Sequence, residues 1–265
     1  MTPVAIITGA SAGIGAELAR VFARNGHALV LIARRADRLK ALAAELAPAD
    51  RPAPLVLPLD LARADAVGRI QEGLAARAFV PQYVVNNAGF GLLGAAAALD
   101  RDEQLAMIDL NVRVLTDLSL AFIDSLAHTR GGLLNVGSVA GFFPAPGMAV
   151  YYATKAYVLS FSEALHRELA PRGIRVTCLC PGPVETEFGA RAGALEREPP
   201  SLLTVSATRV AEEGYRGLMR GRRLVVPGLA NKVVTFLPRI VPKPVILSIL
   251  AARQRRRTPS PALRT

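Results

Sequence analysis

Residues 4–20, VAIITGASAGIGAELAR, join a short apolar run to a helical pattern through a turn rich in glycine. The apolar run is typical of a buried strand, and the helical pattern begins at Gly13. Together with Gly9 and Gly15, this residue lets the backbone turn tightly and approach a pyrophosphate, whose charge the first turn of a helix attracts. The spacing G-x-x-x-G-x-G differs from the common dinucleotide-binding spacing G-x-G-x-x-G. An ordinary strand-to-helix turn is therefore the alternative interpretation.

Short apolar runs and helical patterns alternate through the rest of the chain. Strands are predicted at residues 4–8, 28–33, 55–59, 83–85, 133–136, 174–180 and 224–226. Helices are predicted at residues 13–24, 36–46, 64–76, 102–127, 150–169 and 208–219. Because the strand runs lack polar alternation, they suit a parallel sheet that helices cover on both faces. We therefore expect an α/β fold with a doubly wound parallel sheet, in a single domain over residues 1–228.

Charge is distributed unevenly along the chain. The formal net charge is +11, and residues 201–265 hold 13 of the 32 basic residues but 2 of the 21 acidic ones. The first 200 residues are therefore neutral, and the whole excess belongs to the last quarter. This distribution indicates a neutral domain with a basic tail, so any inference about partners depends on the tail alone.

Residues 229–265 form a predicted C-terminal extension, which is apolar first and basic afterwards. Lysine, arginine and proline interrupt its apolar part, so no run reaches the roughly 20 residues that a membrane-spanning helix needs. The basic part contains Arg253, Arg255, Arg256 and Arg257. The apolar side chains of residues 245–250 argue against a nucleic-acid arm. Two alternatives remain open: peripheral contact with an anionic membrane surface, or packing on the domain or on a second subunit.

Cysteine and histidine usage bears on compartment and metal binding. The two cysteines, Cys178 and Cys180, are too few for a disulfide framework. As neighbours but one in a strand, they are expected to point to opposite faces and not to pair. The three histidines lack metal-ligand spacing, so no metal site is predicted. The first residues, MTPVAIITGA, do not resemble a secretory signal, and the expected location is the cytoplasm.

Tyr151 and Lys155 are four residues apart in a predicted helix, which places both on one face within reach of a common ligand. A nearby ammonium favours the phenolate, so we expect the pKa of Tyr151 to fall from its ordinary value of about 10. Tyr151 would then serve as a general acid or base. An exposed helix with an incidental tyrosine and lysine is the alternative for this pair taken alone.

Further polar motifs occur at the ends of predicted strands and in the fourth predicted helix. In chain order, the motifs are Asp60, Asn86-Asn87-Ala88-Gly89, Asn111, Ser138, Tyr151-Tyr152-Ala153-Thr154-Lys155 and Pro181-Gly182-Pro183-Val184-Glu185-Thr186. Together with the glycine-rich turn, their order closely resembles that of the short-chain dehydrogenase/reductase family over about residues 3–228. The resemblance implies a Rossmann-type fold.

The resemblance also implies an enzyme that interconverts a carbonyl and an alcohol by hydride transfer. In this reading, Tyr151 donates a proton to the carbonyl oxygen and Ser138 hydrogen-bonds that oxygen. Lys155 holds the nicotinamide ribose, and Asn111 positions a water in the proton relay. The residues that would contact the coenzyme are Gly9, Ser11, Gly13, Ile14, Gly15, Asp60, Asn86, Ala88, Gly89, Lys155, Pro181, Gly182 and Thr186.

The end of the second predicted strand bears on coenzyme choice. A site for NAD usually places an acid there to accept from the ribose hydroxyls, whereas the 2′-phosphate of NADP needs cations. Arg34 occupies the acid's place and Arg35 follows it. Guanidinium groups bind phosphate in a bidentate manner, so NADP(H) is the predicted coenzyme. Many NADP-preferring relatives carry a basic residue or serine at the position of Ala12, so here the phosphate would depend on the two arginines.

Apolar residues flank the motifs and would line a cleft for an apolar carbonyl substrate, although ordinary loop packing explains each nearly as well. They are Phe90, Phe142, Phe143, Pro144, Pro146, Met148 and Phe188. The resemblance further implies a homo-oligomer that pairs through its fourth and fifth helices. The alternative function is a coenzyme-binding scaffold or regulator that uses its basic tail to bind membrane or nucleic acid.

Overall fold

The computed structural model describes residues 1–47, 52–192 and 201–255. Its strands are β1 (Thr2–Thr8), β2 (Ala28–Ala33), β3 (Leu55–Pro58), β4 (Phe79–Asn86), β5 (Gly132–Val136), β6 (Arg175–Leu179) and β7 (Leu224–Val225). They form one parallel sheet in the order β3-β2-β1-β4-β5-β6-β7. The winding reverses between β1 and β4, and doubly wound folds bind ligands in the crevice at this point. The predicted doubly wound, Rossmann-type sheet is thus confirmed.

Helices cover both faces of the sheet. They are α1 (Gly13–Arg24), α2 (Ala36–Glu45), α3 (Ala66–Ala76), α4 (Arg101–Ile108), α5 (Leu115–Ala121), α6 (Ile123–His128), α7 (Ala149–Leu169), α8 (Glu187–Arg191), α9 (Ala207–Met219), α10 (Leu229–Phe236) and α11 (Lys243–Arg255). One core contains Phe22 from α1 and Val210 from α9. The other contains Ile70 from α3, Leu118 from α5 and Leu165 from α7. All six residues of β2 are buried, as expected for a strand covered on both sides.

The long helix predicted over residues 102–127 is interrupted twice. A π-helical turn, Asp109–Val114, separates α4 from α5, and the buried Phe122 separates α5 from α6. Asn111 lies in the π-helical turn, and its side chain bonds the backbone of Phe90 and the hydroxyl of Thr154. These contacts join segments far apart in the chain, so a local hydrophobic pattern does not reveal the interruption. Single π-helical turns inside α-helices are frequent at functional sites.

The beginning of the C-terminal extension is anchored to the domain. Asn231 in α10 is buried, and its Nδ2 donates to the carbonyl oxygens of Leu203 at 3.0 Å and Pro227 at 2.9 Å. The exposed apolar side chains of the extension are Leu229, Val233, Phe236, Leu237, Ile240, Val245, Leu247 and Ile249. Among the described residues, no helix is both long and apolar enough to cross a membrane. Arg256 and Arg257 lie outside the described residues, and the domain boundary at residue 228 stays a prediction.

The two cysteines lie on the same side of the chain, and the expectation of opposite faces is wrong. Side chains that alternate along a strand return to the same face after two residues. Cys178 and Cys180 are accordingly both buried, with their sulfur atoms 3.5 Å apart. Both are free thiols.

Gly15→Ala is expected to destabilise the fold, because a Cβ at Gly15 would collide with the Gly9 carbonyl oxygen and the Asn87 side-chain nitrogen. The free energy of unfolding should fall by about 1–3 kcal/mol or more, as for other overpacked sites. Urea denaturation followed by circular dichroism measures the change. Gly68→Ala is the matched control: Gly68 lies in α3 with open space around it, and alanine there should stabilise by about 1 kcal/mol. Equal stability of Gly15→Ala and the unmutated protein would contradict the proposed packing.

Candidate active site

The glycine-rich turn forms one wall of the crevice. Gly9 and Gly13 have positive φ angles of 65° and 54°, which glycine adopts without strain. The N-cap of α1 is Ala12, which supplies no side-chain hydrogen bond, and the first turn of α1 contains no acidic residue. The N–H groups at this helix end are therefore left for an external anion. A coenzyme pyrophosphate fits this arrangement.

The loop after β4 packs directly against the glycine-rich turn. The hydroxyl of Thr8 accepts from the backbone N–H groups of Asn87 at 3.0 Å and Ala88 at 3.1 Å. It also donates to the carbonyl oxygen of Val85, and the side chain of Asn87 donates to the carbonyl oxygen of Thr8 at 2.9 Å. Sequence analysis did not single out Thr8 or assign a role to Asn87. Both act by holding the predicted coenzyme residues Ala88 and Gly89 in place.

The side chain of Asn86 belongs to a buried network behind the crevice. The amide is buried, and its Nδ2 donates to the hydroxyl of Ser119 at 3.0 Å and to Asn135 Oδ1 at 2.9 Å. Asn135 in turn donates to the hydroxyl of Ser162 at 3.0 Å. This buried network ties β4 and β5 to α5 and α7. The coenzyme role of Asn86 stays a prediction, and its buried amide leaves the backbone for such a contact.

Arg35, rather than Arg34, is attached to the glycine-rich turn. Its Nε and Nη2 donate to the hydroxyl of Ser11 at 3.2 and 3.1 Å. Arg38, in the first turn of α2, lies beside Arg35, and both guanidinium groups donate to the carboxylate of Glu187. Sequence analysis missed Arg38, although the spacing of three residues from Arg35 near a helix start was a usable signal. Arg34 is exposed, and the predicted adenine contact Asp60 caps its own turn by accepting from the N–H of Ala62 at 3.0 Å.

Ser138, Tyr151 and Lys155 come together at the carboxyl end of β5. All three are buried, and Ser138 is hydrogen-bonded to Tyr151. Lys155 Nζ donates to the carbonyl oxygen of Val136 at 2.9 Å and lies 5.9 Å from the centre of the Tyr151 ring. Gly89 lies beside this group, because a Cβ there would be 3.8 Å from Lys155 Nζ. The loop after β4 thus connects the glycine-rich turn to the tyrosine and lysine.

Burial controls the titration of the pair. It raises the pKa of Tyr151 to about 12, because the phenolate loses its hydration, and the hydrogen bond from Ser138 opposes this only in part. Burial also lowers the pKa of Lys155 to about 8. The expected fall in the Tyr151 pKa is therefore wrong: the Lys155 ammonium is directed to a backbone carbonyl and does not outweigh the loss of water. At neutral pH the tyrosine is protonated and the lysine is mostly charged.

Asn111 is held by the protein on both sides of its amide. Its Oδ1 accepts from the N–H of Phe90 at 3.1 Å, and its Nδ2 donates to the Phe90 carbonyl oxygen at 2.9 Å and to Thr154 Oγ1 at 3.1 Å. The π-helical turn thereby ties the loop after β4 to α7. Thr154, the residue before Lys155, had no predicted role of its own. The water-positioning role of Asn111 stays a prediction.

The segment after β6 closes the other side of the crevice. Gly182 packs against the side chain of Asn231, which leaves no room there for a Cβ. Thr186 touches Gly13, and the ring of Phe188 lies 5.6 Å from that of Tyr151. Thr186 therefore faces the glycine-rich turn, and the extension supports the segment at Gly182 through Asn231.

Known proteins resemble this chain over most of its length. A family model described as short chain dehydrogenase matches residues 3–196. The sulfoacetaldehyde reductase of Chromohalobacter salexigens is 37% identical over 217 residues, which cover 80% of this chain and 85% of that protein.

Two solved structures cover the extension as well. A short-chain dehydrogenase from Sphingobium yanoikuyae in complex with NADPH has a TM-score of 0.76 and 33% identity, covering 99% of this chain and 98% of its own. The bulky-bulky ketone specific alcohol dehydrogenase from Comamonas testosteroni has a TM-score of 0.73 and 28% identity, covering 100% of this chain and 97% of its own. The chain is therefore an oxidoreductase that belongs to the short-chain dehydrogenase/reductase family.

Proposed function

We propose that this oxidoreductase uses NADP(H) to interconvert a bulky apolar ketone and its secondary alcohol, with Tyr151 as the general acid or base. The observation that carries the proposal is the burial of Ser138, Tyr151 and Lys155 together beside the glycine-rich turn. The loop that packs on the glycine-rich turn thus leads to a protonated phenol and a charged ammonium.

The reaction divides between the coenzyme and the protein. The nicotinamide coenzyme supplies or takes up hydride. In the reducing direction, the Tyr151 hydroxyl gives its proton to the carbonyl oxygen, and the hydroxyl of Ser138 stabilises the charge on that oxygen. The phenolate that remains is stabilised by the Lys155 ammonium and by Ser138. Asn111 keeps the π-helical turn in place, so that Thr154 and Lys155 hold their positions on α7.

Three observations support NADP(H) as the coenzyme. Arg35 is oriented toward the glycine-rich turn by two hydrogen bonds to Ser11, and Arg38 lies beside it. Guanidinium groups recognise phosphate through paired N–H donors. The Sphingobium yanoikuyae relative is described in complex with NADPH.

The surroundings of Tyr151 support a bulky apolar substrate. Its ring contacts the rings of Phe188, at 5.6 Å, and Tyr152, at 6.1 Å, and Phe90 and Met148 belong to the same cluster. Apolar and aromatic walls with few polar groups are typical of small-molecule sites. The Comamonas testosteroni relative is described as specific for bulky-bulky ketones.

Two partner surfaces are proposed besides the crevice. Leu105, Ile108, Leu120 and Tyr157 are exposed on α4, α5 and α7, which supports the predicted homo-oligomer. The exposed apolar side chains of α10 and α11, which precede the arginine-rich tail, support peripheral contact with an anionic membrane from the cytoplasmic side. The regulator alternative has no support from the site, because each predicted catalytic side chain is present and buried.

Tyr151→Phe is expected to lower kcat for ketone reduction by about a hundredfold to ten-thousandfold, since it removes the acid proton. The Kd for NADPH should stay within about twofold, because the coenzyme loses no more than one hydroxyl contact. Loss of NADPH absorbance with a panel of ketones of increasing bulk measures both rate and substrate class. Tyr215→Phe on α9, where the hydroxyl bonds His27, is the control and should keep full activity. Activity of Tyr151→Phe within a few-fold of the unmutated enzyme would remove Tyr151 from the acid role.

NADPH is expected to bind at least about tenfold more tightly than NADH, a difference of about 1.4 kcal/mol. Replacing Arg34 and Arg35 together by alanine should abolish most of this preference, and Arg35→Ala alone should account for the larger part. Fluorescence titration with each reduced coenzyme measures the dissociation constants. Lys40→Ala, which removes an exposed cation from α2, is the control. Equal dissociation constants of the unmutated protein for the two coenzymes would show that neither arginine reads the phosphate.

The full-length protein is expected to co-sediment with vesicles that contain phosphatidylglycerol at low salt and to detach partly at high salt, since each arginine near the surface contributes about 1 kcal/mol. Val233→Ser with Ile240→Ser should weaken this binding while preserving the contacts of Asn231. Vesicles of phosphatidylcholine, which carry no net charge, are the control and should bind weakly. Absence of binding by the unmutated protein would exclude the membrane role, and a change in oligomeric state upon the two substitutions would assign the surface to a second subunit.

A further inference from the structure

Three consecutive residues, Thr186, Glu187 and Phe188, form a strap between the two halves of the crevice. Thr186 rests on the glycine-rich turn, with its methyl carbon 3.0 Å from where a Cβ on Gly13 would stand. Phe188 lies against Tyr151, with ring centres 5.6 Å apart. Glu187 stands between them at the start of α8. The strap therefore touches the proposed phosphate end and the proposed catalytic end of the site at once.

The Glu187 carboxylate is bound by both arginines. Its Oε2 accepts from Arg35 Nη1 at 2.6 Å, and its Oε1 accepts from Arg38 Nη1. The remaining nitrogens of Arg35 are directed to the hydroxyl of Ser11. The two guanidinium groups lower the pKa of Glu187, so this carboxylate is charged at neutral pH. All three charged side chains are about half exposed, with fractions of 45% for Arg35, 50% for Arg38 and 52% for Glu187, so an incoming ligand can reach them.

Carboxylate and phosphate are alternative partners for the same N–H donors. Guanidinium groups bind each in the same forked geometry, and a donor already bonded to a carboxylate oxygen is lost to a phosphate oxygen. A 2′-phosphate that approaches Arg35 therefore meets a site already filled by a group of this chain. NAD(H) lacks that phosphate, so it presents no group that competes with Glu187 for the N–H donors of the two arginines.

We propose that Glu187 is a coenzyme-specificity residue, whose carboxylate occupies the phosphate-binding arginines as an internal competitor until the 2′-phosphate of NADP(H) displaces it. The proposal rests on the proposed function, in which Arg35 binds that phosphate. Displacement moves Glu187 and with it the neighbouring Phe188, which leaves its place against Tyr151. Binding of the 2′-phosphate thus changes the position of Phe188 at the substrate end of the crevice, whereas binding of NAD(H) does not.

The first test compares dissociation constants. Glu187→Gln removes the competing charge at nearly constant size and should tighten NADPH binding by about three- to tenfold, the effect of losing two half-exposed ion pairs. NADH binding should stay within about twofold. Glu185→Gln, which removes an exposed carboxylate two residues earlier, is the matched control and should change neither constant. Thermal unfolding of each variant verifies that the fold is retained.

The second test follows the strap directly. The chain contains no tryptophan, so Phe188→Trp introduces a single fluorescent reporter. Adenosine 2′,5′-bisphosphate should change its emission, whereas adenosine 5′-monophosphate should not. With Glu187→Gln in the same chain, the reporter should show the displaced emission before any nucleotide is added, and the bisphosphate should change it little.

The outcomes separate this proposal from the proposed function. If Arg35→Ala weakens NADPH binding while Glu187→Gln leaves it unchanged or weakens it, the arginine reads the phosphate and the competitor role of Glu187 is wrong. If Arg35→Ala leaves NADPH binding unchanged, Arg35 does not bind the 2′-phosphate. The competitor role of Glu187 is then also wrong, because it depends on that contact. An equal response of the reporter to both nucleotides would also overturn the proposal, because the strap would then not sense the 2′-phosphate.

Discussion

The contact between the glycine-rich turn and the loop after β4 is the constraint on which the site depends. Gly15 has no side chain, so α1 can begin directly over Gly9 and Asn87. The hydroxyl of Thr8 then fixes the backbone of the β4 loop with two accepted hydrogen bonds. From there, Gly89 leads to the lysine and asparagine of the catalytic end. A displacement of α1 would therefore change both the anion-binding helix end and the position of the reacting groups.

Burial of Tyr151 and Lys155 disfavours the charged form of each side chain. The tyrosine and lysine sit where water is excluded, and this raises the pKa of one and lowers that of the other. The phenol is consequently kept as a proton donor, and the phenolate becomes accessible only when further positive charge or hydrogen bonding accompanies the bound substrate and coenzyme. Behind the site, Asn86 Nδ2 donates to Asn135 Oδ1 and Asn135 Nδ2 donates to the hydroxyl of Ser162, whereas the buried Asn86 Oδ1 has no partner among the described residues. Such networks make a buried polar environment rigid.

Sequence analysis predicted the sheet and the motif residues because both depend on local order. The run at residues 4–8 and the glycines after it specify a strand, a turn and a helix wherever the rest of the chain lies. By contrast, the ion pair between Arg38 and Glu187 became visible only when α2 and the segment after β6 were brought together in space. The pKa of Tyr151 was misjudged for the same reason: the spacing to Lys155 is local, but burial is a property of the whole fold. The side chain of Asn86 likewise points into a network whose members lie 33 and 49 residues away.

The two thiols at the end of β6 restrict which residues can replace one another at three positions. A Cβ on Gly137 would lie 3.1 Å from the sulfur of Cys178 and 3.0 Å from that of Cys180, and Gly137 is followed by Ser138. The two sulfur atoms together fill the space beside Gly137, which has no side chain. Over evolutionary time, a larger residue at 178 or 180 can be accepted only together with a smaller one at the other position, since Gly137 cannot shrink further. Substitutions at Gly137, Cys178 and Cys180 are therefore expected to be correlated.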